Sequence, residues 1–162
     1  MRKRIYEQIK IHRNNGTYSR EVRNTTRENE TAAMFNEWRA YLELPNHSDE
    51  FTKLALMPNF ETWINREHGS MSYHLTQVLS GHGCFAKFLC RIGKRENRCC
   101  DFCGDDPDDV LHTIRECPAW DPERISLKRT LGLDREFTMA DIVEAACGSK
   151  INWAAFTGFV QR

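Results

Sequence analysis

The sequence contains no run of about 18 or more apolar residues, so nothing in it predicts a helix that crosses a membrane. Its first residues, MRKRIYEQIK, lack the apolar stretch of a secretory signal, which predicts an intracellular protein. No segment alternates apolar and polar residues over the length of a strand, and there is no internal repeat or low-complexity segment. These absences favour a helical globular protein.

The 162 residues suit one domain, or one small domain plus an arm. The hydrophobic fraction is 40% and the charged fraction is 28%, as in a globular protein that is slightly polar. The chain has 7 cysteines, an odd number, in a protein that we expect to be intracellular. Metal binding therefore explains the cysteines better than disulfides do.

The net charge is zero, but charges of one sign are clustered. Residues 1–24 contain seven Lys or Arg against two Glu, and residues 87–98 contain five Lys or Arg against Glu96. Residues 100–123 contain eight Asp or Glu against Arg115. The basic stretches predict either phosphate contacts or ordinary solvated helix faces, and charge alone does not favour one of them.

Four residues in the segment 99–118, CCDFCGDDPDDVLHTIRECP, form the pattern C-x2-C-x8-H-x4-C. They are Cys100, Cys103, His112 and Cys117. Three thiolates and one imidazole are a ligand set that suits tetrahedral Zn2+ and leaves no open position, so we expect one structural zinc ion. Cys99 is a rival first ligand, although the two-residue gap that starts at Cys100 is the commoner spacing. The alternative is that these cysteines are small buried residues in a reduced protein.

Apolar residues at helical spacing predict a mainly α fold, a helical domain with a small Cys3His zinc knuckle and a basic N-terminal helical arm. We expect an arm at 1–44, a helical core at 45–98, the knuckle at 99–118, and C-terminal helices at 119–162 packed on the core.

Local signals predict how individual helices begin, end and face the core. We expect Ser19 and Thr138 to cap helices, Pro45 to end the second helix, and Asp108 to cap a helix at 109–116. Residues 45–58 are predicted to form a connection lying across the core. The residues expected to face the core include Phe85, Phe88, Leu89, Ile92, Ile125 and Leu131.

Several short motifs, in order, resemble the C-terminal region of non-LTR (LINE-like) retrotransposon polyproteins, of the clade that inserts into ribosomal RNA genes. The motifs are WINREHG at 63–69, YHLTQ at 73–77, SGHGCF at 80–85, and the Cys/His pattern through Pro118. The resemblance is most specific from Trp63 to Trp120. The Tyr/Phe-x-Asp-Asp motif of the family's polymerase is absent, and so is any endonuclease segment. Asp105, Asp106, Asp108 and Asp109 lie inside the knuckle and are poor candidates for two-metal catalysis.

The resemblance implies a non-catalytic tail that assists RNA or DNA binding during target-primed reverse transcription. Its partners would be RNA or DNA and the polymerase part of a polyprotein, with no membrane and no small-molecule substrate. Acting on genomic DNA would place it in the nucleus. Five cations are the candidate phosphate ligands: Lys87, Arg91, Lys94, Arg95 and Arg98. The arm at 2–4 would help them.

Other residues have a functional and a structural interpretation. His82 is either a phosphate or base contact or, more commonly, a turn histidine, and with His74 and Cys84 it is a weak candidate for a second metal site. The tryptophans at 63, 120 and 153 either stack on bases or belong to the core. Cys84, Cys90 and Cys147 are expected to be small buried residues.

Two other classes of protein compete with a nucleic-acid-binding tail. One is a zinc-stabilised structural or protein-interaction domain. The other is a metal-dependent nuclease, which no paired-carboxylate or HNH-like pattern supports.

Overall fold

The computed structural model describes residues 2–44, 50–134 and 136–161. The chain divides into two compact units, Met1–Ser48 and Asp49–Arg162. The described residues are mainly helical, and no strand occurs among them. The prediction of a mainly α fold is therefore confirmed.

The N-terminal unit is a pair of helices, α1 (Arg2–Asn14) and α2 (Arg20–Glu43). Ser19 caps α2, because its side chain accepts a hydrogen bond from the backbone N–H of Val22 at 3.0 Å. Arg4 links the two helices by donating to Glu30 (3.0 Å) and Glu37 (2.8 Å). Pro45, predicted to end α2, lies outside the described residues.

Among its described residues, the C-terminal unit contains seven further α-helices. They are α3 (Glu50–Leu56), α4 (Phe60–Asn65), α5 (Tyr73–Ser80), α6 (Ala86–Arg91), α7 (Asp121–Leu131), α8 (Met139–Gly148) and α9 (Lys150–Val160). Helix α8 packs against α9, α3 and α4, and α9 also packs against α7 and α5. The helices α7, α8 and α9 therefore form the centre of this unit.

Apolar side chains from most of these helices meet in one core. Its most deeply buried members include Leu75, Val110, Ile114, Ile142, Val143 and Phe156. Helix α8 shows the predicted pattern: Thr138 and Asp141 form a capping box at its start, and Met139, Ile142, Val143 and Ala146 are buried.

Three predictions about single elements were wrong. The segment 50–56, predicted to be part of a connection, is helix α3, in which Ala55 is buried and Leu54 is exposed. In α7 the buried residues are Arg124, Leu127 and Leu131, whereas Ile125 is exposed. Ile92, which directly follows the end of α6 at Arg91, is also exposed.

The predicted cap of the helix at 109–116 was wrong by one residue. Asp109 Oδ1 accepts from the backbone N–H of His112 (3.0 Å) at this helical turn. Asp108 instead accepts through Oδ2 from the backbone N–H of Ala86 (2.8 Å), at the first residue of α6. The acidic segment is thereby fastened to the start of another helix.

Candidate metal centre

The first two candidate ligands lie on a tight turn. The backbone N–H of Gly104 donates to the carbonyl of Cys100 (2.9 Å), and the N–H of Cys100 donates to the carbonyl of Asp105 (2.8 Å). Gly104 has φ +86°, a conformation that a residue with a side chain rarely adopts. These bonds turn the chain so that Cys100 and Cys103 lie on one side of it.

The other two candidate ligands lie at the ends of a π-helical turn, His112–Glu116. The backbone N–H of Cys117 donates to the carbonyl of His112 at 2.7 Å, an i to i+5 bond. In an α-helix, five residues advance the chain by about 500°, which would put the two side chains about 140° apart. The wider turn brings them to the same side, as single π turns often do at functional sites.

The four side chains converge. Cys100 Sγ lies 3.9 Å from Cys117 Sγ, and Cys103 Sγ lies 3.2 Å from His112 Nε2. All four ligand atoms lie within 4.8 Å of one another. Two sulfurs bound to one tetrahedral zinc ion at about 2.3 Å would lie about 3.8 Å apart. The cluster is therefore preformed at the size of a four-ligand metal site and could bind one metal ion.

The protein shields this cluster from solvent. Cys100 is 4% exposed, His112 5% and Cys117 0%, and Cys103 is half-buried. Four protein ligands around one tetrahedral ion would leave no open coordination position, an arrangement typical of structural zinc sites.

One thiol of the cluster, that of Cys103, resists ionisation when no metal is bound. The backbone N–H of Asp105 lowers the pKa of Cys103, but desolvation and the neighbouring thiols of Cys100 and Cys117 outweigh it and raise that pKa to about 12. A bound cation reverses this preference, because a coordinating thiol is deprotonated outright. Metal binding here would release protons.

A buried arginine lies beside the cluster. Arg124 is 6% exposed, and its Nη2 donates to the carbonyl of Cys117 and to Asp121 Oδ1 (2.6 Å). Its Nη1 is buried and has no hydrogen-bond partner among the described residues. A centre of three thiolates, one imidazole and one divalent cation carries a net charge of −1. The guanidinium places positive charge next to that centre.

The second ring nitrogen of His112, Nδ1, lies 3.9 Å from a carboxylate oxygen of Glu116. Nδ1 is therefore turned away from the cluster and towards an acceptor group, which is the usual arrangement for a metal-binding imidazole that coordinates through Nε2.

The structure brings together the four residues predicted to be ligands, which favours Cys100 over the alternative Cys99. Cys100 belongs to the cluster, and Cys99 does not. Of the cysteines predicted to be buried, Cys147 is buried and Cys90 is half-buried, but Cys84 is exposed. His74, His82 and Cys84 do not form a metal-binding group in the part of the chain that is described.

Three of the five predicted phosphate ligands form ion pairs with the acidic segment. Lys87 Nζ lies 2.7 Å from Asp109, and Arg98 Nη2 lies 3.3 Å from Asp106. Arg95 contacts Asp101 with both terminal nitrogens, at 2.6 and 2.8 Å. These pairs partly neutralise both the basic stretch and the acidic one.

Asp109 shows how this pairing acts on a carboxyl group. Burial alone raises the pKa of its carboxyl group, but the bonds from Lys87 and from the N–H of His112 outweigh that effect, so its pKa is lowered. The remaining two predicted cations, Arg91 and Lys94, lie outside these three pairs and are exposed. Arg91 Nη2 lies 3.0 Å from His82 Nε2.

Three residues of the WINREHG motif, Trp63, Arg66 and Gly69, pack around Trp153. The guanidinium of Arg66 lies 4.0 Å from the ring centre of Trp63 and 4.6 Å from that of Trp153. A Cβ at Gly69 would lie 2.2 Å from the Trp153 ring, so only glycine fits there. Trp63 and Trp153 are thus structural residues of the C-terminal unit.

Sequence reasoning missed Arg124. A signal existed, because Arg124, Leu127 and Leu131 follow the i, i+3, i+7 spacing of a buried face.

His82 was predicted to be a phosphate contact or a turn residue. Its ring stacks on Phe88 at 4.6 Å, and its backbone N–H donates to the carbonyl of Gln77.

No protein-family model matches the chain, and no curated protein or solved structure matches it either. None of the described helices combines the length and the apolar character that crossing a membrane requires.

Proposed function

We propose that the chain is a non-catalytic helical module whose knuckle binds one structural zinc ion. The observation that carries the proposal is the preformed, largely buried cluster of three cysteines and one histidine. Zinc fits it better than other divalent ions, because thiolate and imidazole ligands in a closed set of four select zinc, whereas oxygen ligands select magnesium or calcium.

The resemblance to non-LTR retrotransposon polyproteins supports a role for this module as an intracellular tail that assists RNA or DNA binding. The cations that would contact phosphates are those of the segment 87–98. Because surface ion pairs contribute only about 0–1 kcal/mol each, phosphates can replace the carboxylates that now pair with three of these cations. Arg91 and Lys94 are the cations that the following test varies, since both side chains are exposed.

Binding to a structured RNA and to duplex DNA, measured by fluorescence anisotropy from about 50 to 200 mM salt, tests the nucleic-acid role. We expect affinity to fall steeply with salt. A variant with Arg91→Gln and Lys94→Gln should bind less tightly, with a logarithmic salt slope smaller by about one per lost phosphate contact. Lys150→Gln, an exposed cation on α9, is the matched control and should not change the slope. Zinc-loaded protein without salt-dependent affinity would contradict this role.

A second candidate function is a structural or protein-interaction domain that does not bind nucleic acid. The three ion pairs between the basic and acidic segments favour it, because they reduce the positive charge available to phosphates. This candidate predicts equal, weak oligonucleotide binding by the parent and the double variant, with the zinc ion retained in both.

A further inference from the structure

A groove of about 640 Å³ lies within the C-terminal unit, between α5, the end of α9 and the metal-binding segment. Its apolar lining includes Val78, Phe85, Ile114 and Phe159, which are buried, and also the exposed rings of Tyr73 and Phe102. This volume lies in the range of about 300–1,000 Å³ that is usual for ligand sites. The groove is large enough for one long side chain and the backbone on either side of it.

Aromatic side chains line the groove and are poorly covered by the rest of the protein. Tyr73 is 74% exposed and Phe102 67% exposed. The ring of Phe102 packs edge-on against Trp120, with ring centres 5.2 Å apart and an interplanar angle of 69°. Two rings at this angle present faces in different directions, and such faces attract cations.

The charged side chains of the groove are acidic. Its described lining residues include Asp101 and Asp108 but no lysine or arginine. Both oxygens of Asp101 contact Arg95, so its charge is largely balanced. Asp108 is half-buried, and among the described contacts its carboxylate accepts from the backbone N–H of Ala86. Since a carboxylate offers about four lone-pair positions, Asp108 retains capacity for a further donor.

The position of Asp108 is fixed by its backbone as well as by its side chain. Its N–H donates to the carbonyl of Arg98 at 2.7 Å, and its carbonyl accepts from the N–H of Lys87 at 3.0 Å. A preorganised carboxylate beside apolar and aromatic surface is a suitable site for a basic side chain, whose carbon chain covers apolar surface while its cation reaches an acidic group.

We propose that this groove binds a lysine side chain of a partner protein, with the ammonium group at Asp108 and the side-chain carbons along the apolar lining. The charge of Asp108 decides the class of partner, because its carboxylate would attract an ammonium group and repel the phosphates of a nucleic acid. This proposal rests on the second candidate function above, a protein-interaction domain, because its ligand belongs to a partner protein. It adds a binding site that is separate from the metal cluster.

The test uses the full chain, metal-loaded and labelled with 15N, and a five-residue peptide with capped ends, Ala-Leu-Lys-Leu-Ala. We expect the backbone signals of Tyr73, Phe102 and Thr113 to shift together as the peptide is added. A matched peptide with norleucine in place of lysine should bind at least tenfold more weakly, because it has the same carbon chain and no cation.

Asp108→Asn should weaken lysine-peptide binding at least fivefold, although the amide oxygen can still accept from Ala86. Glu144→Gln, an exposed acidic residue of α8, is the matched control and should leave binding unchanged. Should Asp108→Asn fail to fold, Phe102→Ala provides a second test, because Phe102 is exposed and its loss should not disturb the core. It should also weaken binding of the lysine peptide.

Three results would overturn the proposal: no shift of groove signals with the lysine peptide, equal binding of the norleucine peptide, or shifts of the same signals by a ten-residue oligothymidylate with none by the peptide. The metal content and the salt-dependent oligonucleotide binding of the same samples test the proposed function separately. Failure of the groove and failure of the module are therefore distinguishable.

Discussion

The metal-binding segment and the α7–α9 helices belong to the same unit but are held by different interactions. In residues 98–117 the fully buried side chains are three of the four candidate ligands together with Val110 and Ile114. In α8 and α9 the buried side chains are almost all large apolar groups, such as Ile142 and Phe156. One region therefore contains polar contacts and a cluster that could bind one metal ion, whereas the other depends on apolar packing.

Metal removal should separate the two regions most clearly. Structural zinc contributes on the order of 10 kcal/mol or more to small modules, which exceeds any single contact in the ligand segment. With a chelator present, we expect residues 98–117 to lose protection from amide hydrogen exchange and part of the helical signal to disappear. Backbone amides in the middle of α8 and α9 should stay protected. If residues 98–117 stayed protected from hydrogen exchange in the presence of the chelator, the metal would not be what holds this segment.

A cavity in the apolar core should have the opposite effect. Phe156 is 0% exposed, and Phe156→Ala should lower the free energy of unfolding by roughly 3–5 kcal/mol while leaving the metal bound. Ile151→Ala, on the same helix but 74% exposed, should change stability by less than about 0.5 kcal/mol. Equal effects of the two substitutions in denaturant unfolding would show that α9 is not packed as described.

Gly69 tests the packing around Trp153. It has φ +80°, and a Cβ there would meet the Trp153 ring, whereas Gly132 has φ +66° with open space around it. Both alanine variants should incur backbone strain of about 1–3 kcal/mol. Gly69→Ala should lose a further amount of about 1–3 kcal/mol, because the tryptophan must move. The free energy of unfolding of both variants is measured in urea. Similar losses in the two variants would show that Trp153 does not exclude a side chain at Gly69.

The capping box of α8 should have the smallest effect and one that depends on pH. The backbone N–H and the hydroxyl of Thr138 donate to Asp141 and lower the pKa of its carboxyl group. The pKa of this carboxyl group in the folded state therefore lies below its unfolded pKa of about 3.9. The ionised group stabilises the folded state at pH values above about 3.9, and this stabilisation is lost as the pH falls through the folded pKa.

Asp141→Asn should therefore cost roughly 0.5–2 kcal/mol at pH 7 and less at pH 2.5. Glu144→Gln on the same helix is the control. A penalty for Asp141→Asn that does not change with pH would show that the charge of the carboxylate is not what stabilises the cap.

The sequence was most informative where one residue type has one strong role. Cysteine and histidine at knuckle spacing predicted the four residues that cluster, and Ser19 and Thr138 predicted two caps. These signals are local, so they need no knowledge of the tertiary fold. The choice between Cys99 and Cys100 was not available from spacing, because it depends on the turn that Gly104 and Asp105 complete.

Predictions failed where tertiary contacts decide a residue's role. Asp108 is a residue type that often caps helices. Its carboxylate instead accepts a hydrogen bond from the backbone N–H of Ala86, 22 residues earlier in the chain. Arg124 was not placed in the core because it is charged, and its burial depends on the carbonyl of Cys117 and on Asp121. The ion pairs of Lys87, Arg95 and Arg98 were not predicted either, since each requires the acidic segment to fold back on the basic one.

The central claim is that the four-residue cluster binds one zinc ion and stabilises the fold. The most direct test is native mass spectrometry of the purified chain beside two neighbouring variants, Cys100→Ser and Cys99→Ser. We expect one zinc ion in the parent chain and one in Cys99→Ser, but none in Cys100→Ser. Cys100→Ser should also show a weaker helical signal. A well-folded parent without metal, or zinc lost from Cys99→Ser and kept in Cys100→Ser, would contradict the central claim.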